Sequence, residues 1–160
     1  MGFDLNGMNP VADKKQPMPQ DFTKKKVDED NYFTEMSESE RKKYFAAKWD
    51  WQDRNPGTYF RNNVWWWRPL WLYVENVCSR TITHVDWDRG NYNDGYEIDD
   101  GTADVMADML EESIKNGFID VWKKGYDKEQ ESEKWDYPFN KDNVQEFIKF
   151  CRESGGFQIC

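Results

Sequence analysis

Apolar positions recur with a helical period along most of this chain. Val64, Trp67, Trp71, Val74 and Cys78 stand 3, 4, 3 and 4 residues apart, which lays one apolar stripe along a helix. Leu70 and Val77 widen the stripe, and Pro69 falls inside it. Proline lacks an N–H, and its ring crowds the preceding turn. Residues 58–78 are therefore expected as one kinked helix or as two, the second starting near Pro69.

The other periodic segments carry end signals. Ser37 with Glu40 makes a capping box, opening a helix to about Trp51 with Tyr44, Ala47 and Trp51 on one face. Asn55-Pro56-Gly57 reads as a turn. Asp99, Asp100 or Thr102 caps a helix whose core face is Met106, Leu110 and Ile114, with Val105 and Met109 beside it, and Gly117 ends it. Phe118, Ile119 and Trp122 begin a helix that fades into the charged stretch 127–134. Asn140 caps a last helix with Val144, Phe147, Ile148 and Cys151 on its core face. Gly155-Gly156 stops it, and residues 157–160 form an extended tail.

Two stretches lack a helical period. Residues 79–98 read as a loop, with turn signals at Arg89-Gly90 and Asn93-Asp94-Gly95 that leave room for a short hairpin. Residues 1–31 are polar, with Pro10, Pro17, Pro19 and Lys24-Lys25-Lys26, and read as an extended arm. Phe3, Leu5 and Met8 make its tip apolar, so the tip is expected to pack on the body. The fold expected is all-α, or α with a short hairpin. A single compact helical domain over 32–160, with four to six helices around a Trp-rich core, would follow the irregular, mostly extended arm of 1–31.

Composition makes that core credible. The 160 residues amount to one ordinary domain, and nine Trp, eight Tyr and ten Phe offset a hydrophobic fraction of 38%. Three cysteines, Cys78, Cys151 and Cys160, with no metal-ligand spacing and no apolar leader after Met1, suit reduced thiols in a cytoplasm. No run of 18 apolar residues suits a membrane span. The net charge of −9 leaves no surplus of Lys and Arg to grip nucleic-acid phosphates or an anionic membrane. It does suit a basic protein partner, as well as a merely well-solvated surface.

Three neighbouring indoles, Trp65, Trp66 and Trp67, cannot share one face, because successive helical residues point about 100° apart. With Trp67 in the stripe, Arg61, Trp65 and Arg68 share another face at i, i+4, i+7. Guanidiniums beside an indole suit an anionic nucleotide-like ligand, and the amides of Asn62 and Asn63 can read a base edge. The plainer alternative is a Trp-rich core whose arginines pair with acids elsewhere.

Residues 86–120 hold eleven acids against two bases, as much negative charge as the whole chain's net. Asp99, Asp100, Asp104, Asp108, Glu111 and Glu112 lie along one helix. Such a face suits a nucleic-acid-mimicking inhibitor that fills a basic groove; a solvated face has the same pattern. Asp86, Asp88 and Glu97 fit three positions of a calcium loop, but Gly90 and Asn91 break the pattern. Catalysis has little support. His84 is the one histidine, and no P-loop, nucleophile elbow, dinucleotide fingerprint or metal motif occurs. No catalytic residue, metal or cofactor is expected.

Four stretches carry a resemblance: Met1-Gly2-Phe3-Asp4 with Asn9-Pro10, residues 57–71 (GTYFRNNVWWWRPLW), Asp88-Arg89-Gly90 with Asn93-Asp94-Gly95, and residues 155–160 (GGFQIC). Together they resemble a family of small uncharacterised proteins from bacteriophages and phage-rich metagenomes. Members of that family often carry paired cysteines before the last helix, suggesting zinc; this chain lacks them. The resemblance implies a non-enzymatic phage accessory protein in the cytoplasm of an infected bacterium, with counter-defence its expected role. Its partner would be a nucleotide-like small molecule held by Arg61, Asn62, Asn63, Trp65 and Arg68. The alternative is a basic host protein, such as a CRISPR nuclease, held by the acidic helix face. An enzyme built on His84 is a third reading. Nothing in the sequence indicates the oligomeric state.

Overall fold

The computed structural model describes residues 2–26, 32–133 and 137–160. Met1 of the resemblance, 27–31 of the expected arm and the end of the charged stretch at 134 lie outside the described residues. The chain divides into two compact units, one joining the residues up to Val11 with Pro56–Cys160, the other Ala12–Asn55. The division expected at residue 31 is not the one adopted: the tip of the arm belongs to the larger unit, and the helix after Ser37 to the smaller.

The smaller unit contains a 3-10 turn at Pro19–Asp21, α1 (Tyr32–Glu35) and α2 (Glu38–Arg54). Ser37 caps α2 as its capping box predicts: its N–H donates to Glu40 Oε2 over 2.8 Å, and its hydroxyl accepts from the Glu40 N–H over 3.3 Å. Tyr44 and Trp51 are buried, and the Trp51 indole donates to the Lys14 carbonyl over 2.9 Å.

In the larger unit, β1 (Gly2–Gly7), β2 (Tyr59–Asn63), β3 (Tyr96–Ile98) and β4 (Phe157–Ile159) form one antiparallel sheet in the order β2-β1-β4-β3. The expectation of an all-α fold is corrected here: the fold is mainly helical, with a small sheet. The physical reason is long-range pairing. The apolar tip and tail are too short to fold alone, but Leu5 pairs with both Phe60 and Ile159, which buries Phe3, Leu5, Phe60, Phe157 and Ile159 on one face. The expected hairpin does not close locally; β3 pairs with the C-terminal strand. Gly156 (φ +82°) begins the reversal into β4 and packs so closely on Ile98 that an added Cβ would lie 2.8 Å from its carbonyl oxygen.

Five helices complete this unit: α3 (Val64–Cys78), α4 (His84–Arg89), α5 (Asp100–Lys115), α6 (Phe118–Glu133) and α7 (Lys141–Glu153); α3 and α7 pack on the sheet, α5 packs on both of them, and α6 packs on α5. Along the stripe on α3, Trp67, Leu70, Trp71, Val74 and Cys78 are buried, while Val64 and Val77 are partly buried against the core. Trp67 stacks on Trp71 at 5.1 Å and on Phe3 at 5.2 Å. Their indole N–H groups donate to the Gly90 and Trp87 carbonyls, each over 2.8 Å, which satisfies the polar ends of two buried rings.

Helix α4 lies where a loop was expected. Thr83 caps it, and Asp86 completes a capping box with a shorter acid than the usual Glu. On α5 the buried line is Ala103, Met106, Ala107, Leu110 and Ser113, so Val105 faces outward. The charged stretch from 127 stays helical to Glu133. Among the described residues no helix is long and apolar enough to cross a membrane.

Candidate functional site

The helix face expected from Arg61, Trp65 and Arg68 does not form, because the helix begins three residues too late. Asn63 is the N-cap of α3, its Oδ1 accepting from the Trp66 N–H over 3.1 Å. Arg61, Asn62 and Asn63 therefore lie on β2, where side chains alternate. An Asn directly before an unbroken apolar run was the available signal for this boundary.

The five expected ligand-binding residues divide into two groups. Trp65 is 51% exposed and packs on Tyr137 at 4.9 Å between ring centroids. Arg68 lies over the same tyrosine ring at 5.8 Å and donates to its hydroxyl over 3.4 Å. Arg61, Asn62 and Asn63 instead line an open pocket of about 360 Å³ with Trp66 of α3. The first two turns of α7 close it, through Asn140, Asp142, Asn143 and Glu146. Sequence reasoning missed these residues, apart from Asn140, which it identified as a cap.

The electrostatics of this pocket do not favour an anion. Arg61 is paired across the strands with Asp4 at 3.4 Å, while Asp142 and Glu146 contribute two carboxylates. Asp4 also accepts from the Tyr59 hydroxyl. Burial, then that bond and the charge of Asp4, push the Tyr59 phenol up to about 12. One of the two guanidiniums on which phosphate recognition rested is thus already engaged with an acid.

The acidic face on α5 has a different fate. Asp99 is the N-cap, accepting from the Thr102 N–H over 3.0 Å and from its hydroxyl over 2.7 Å. The hydroxyl bond first, then the N–H, holds its carboxyl below the ordinary value of 3.8. Asp108 and Glu111 both pair with Arg152 of α7, at 2.6 and 3.2 Å, and Glu111 also meets Lys115. Asp100, Asp104 and Glu112 are exposed and make no ion pair among the described residues. Together with Asp108 they project at i+4 steps, about 6 Å of rise each.

Beside this row runs a groove of about 410 Å³, rimmed by Asp108 and Glu112. Val77, Met109 and Phe118 line it, and Phe118 is 41% exposed. The juxtaposition of apolar floor and carboxylate rim was not foreseen from sequence, because α3 and α6 join Met109 of α5 in forming the floor.

The remaining chemistry is modest. Burial pushes the Cys78 thiol up to about 12 and the Cys151 thiol well above its ordinary value, so both are protonated and poor nucleophiles. His84 is exposed and packs edge-on against Trp87 at 5.8 Å. Asp86 and Asp88 are helical, and Asp86 accepts from Thr83 and from the Tyr96 hydroxyl at 2.7 Å, so no calcium loop forms here. Among the described residues no group of three or more His, Cys, Asp or Glu side chains is placed to hold a metal ion. Compared with known protein families, curated proteins and solved structures, the chain matches none.

Proposed function

We propose that this protein acts by binding a basic protein surface, using the carboxylate row of α5 and the groove beside it. One observation supports this reading above the others: Asp100, Asp104 and Glu112 are exposed and have no cationic partner among the described residues, next to an apolar hollow rimmed by Asp108 and Glu112. A row of unpaired carboxylates speeds encounter with a basic partner and sets its orientation. The apolar floor supplies area that charge alone does not, since a rim of charges contributes little affinity by itself. Asp99 belongs to the same end of the helix, although its carboxylate is engaged in capping.

The phage resemblance gives this binding a setting. The protein would act inside an infected bacterium as a non-enzymatic counter-defence factor, filling the nucleic-acid channel of a defence nuclease such as a CRISPR effector. Such channels are positively charged and hold their substrate through its backbone. The reading of Arg61, Trp65 and Arg68 as one anion-binding face loses its support, because these residues do not converge and Arg61 is paired with Asp4.

Competition is the direct test. The purified protein is titrated into a panel of purified defence nucleases carrying fluorescent DNA. Displacement of DNA that weakens steeply with salt is expected. It should be lost in the variant combining Asp100→Asn, Asp104→Asn and Glu112→Gln. No displacement at low salt across the panel, or displacement that the triple variant retains, overturns the proposal.

A further inference from the structure

We infer that the pocket between the N-terminal ends of α3 and α7 binds a neutral polyhydroxylated ligand, a saccharide or the ribose of a nucleoside. This is independent of the basic-partner reading, since α5 contributes nothing to that pocket.

The inference rests on which end of each amide is already occupied. Asn63 Oδ1 accepts from the Trp66 N–H. Asn140 Oδ1 accepts from the N–H groups of Asp142 and Asn143, over 2.7 and 3.2 Å. Asn143 Oδ1 accepts from Asn62 Nδ2 over 3.1 Å. Each of these three oxygens is engaged, while the three Nδ2 groups make no hydrogen bond to a described residue. An amide pinned by its oxygen presents its NH₂ in a fixed direction. The pocket thus carries three oriented donors, held by the two helix caps and by Asn62, itself only 7% exposed.

Acceptors line the same pocket. The carboxylates of Asp142 and Glu146 make no ion pair among the described residues, and Asn62 Oδ1 accepts no bond from one. A ligand that both gives and takes hydrogen bonds at neighbouring atoms satisfies such a set, and a vicinal diol does so. A phosphate would meet two carboxylates with Arg61 engaged elsewhere. A cation would leave the three donors without acceptors. The asparagine caps engage the Trp66 N–H of α3 and the Asp142 and Asn143 N–H groups of α7, which leaves fewer free amides for an anion. Trp66 adds an apolar ring, suited to the C–H face of a sugar, and the volume of about 360 Å³ is at the small-ligand end of binding pockets.

Titration calorimetry of the full chain with glucose, galactose, N-acetylglucosamine, ribose and adenosine tests this, with ATP and spermidine as charged controls. Binding to at least one hexose supports a saccharide ligand; binding confined to ribose and adenosine supports the nucleoside source. In either case Glu146→Gln should weaken binding about tenfold, the loss of one hydrogen bond to a charged acceptor. Trp66→Ala should weaken it further while the thermal melt of Glu146→Gln stays that of the parent. No heat with any neutral probe, tighter binding of ATP than adenosine, or full affinity in both variants overturns the inference.

Discussion

Asn62 on β2 donates through its side-chain amide to Oδ1 of Asn143 on α7, across 81 residues of sequence and 3.1 Å of space. The bond ties the edge strand to the last helix at the rim of the pocket. Asn143→Ala would leave the Nδ2 of a nearly buried side chain without its acceptor, a loss of about 1–3 kcal/mol. Urea denaturation of Asn62→Ala, Asn143→Ala and the double variant should give a coupling of about 0.5–1.5 kcal/mol. Strict additivity would show that the two amides do not support one another.

Gly90 is required by the indole packed against it. A Cβ there would come within 2.2–2.4 Å of the Trp71 ring, and the Gly90 carbonyl accepts from Trp67. Gly90→Ala must displace a fully buried Trp71 and is expected to cost about 1–3 kcal/mol. Chemical denaturation followed by tryptophan fluorescence would measure it. An unchanged midpoint would mean that α4 can shift freely.

The interior of the helical layer was legible in the sequence, because the stripe from Trp67 to Cys78 and the line from Val144 to Cys151 are local patterns read at one period. The sheet was not, because Leu5, Phe60 and Ile159 meet only through pairings between distant segments. Each strand is too short for alternation to stand out beside the longer helical signals. The start of α3 was written in Asn63, but the apolar run beyond it drew the helix backward over Arg61. The pocket combined part of that run with Asn140, Asn143 and Glu146 on α7, which no spacing rule connects to residues 61–66.

Asp99 separates capping from charge. Its folded-state pKa is depressed by Thr102, so it contributes stability that is fully present above its unfolded value. That contribution is lost as the pH falls below about 3.8 and through the folded value. Asn caps helices as well as Asp does. Asp99→Asn should therefore melt close to the parent at the acid end of this window and fall short of it at neutral pH, in thermal scans across pH 2–7. Parallel curves would remove the linkage.

Thiol reactivity should follow burial. Cys160 is exposed, whereas Cys78 and Cys151 are buried and hard to ionise. Alkylation of the native protein at pH 8 should label Cys160 alone, and labelling in denaturant should reach all three. Rapid native labelling of Cys78 would show that α3 and α5 open readily, since the Cys78 thiol lies 3.9 Å from the Met106 carbonyl.

Arg152 offers a gain-of-function test of the acidic face. Its guanidinium pairs with both Asp108 and Glu111, cancelling charge in the middle of the row. The partners are substantially exposed, so removing the guanidinium should cost at most about 1 kcal/mol of stability. Arg152→Gln should release Asp108 toward a basic partner and leave Glu111 paired with Lys115 alone. If the face binds as proposed, this variant displaces DNA from a responsive nuclease at lower protein concentration than the parent, with a faster association rate and a steeper salt dependence. Arg152→Lys should restore the parental curve. Equal displacement by Arg152→Gln and the parent would mean that charge on this part of α5 does not contribute to recognition.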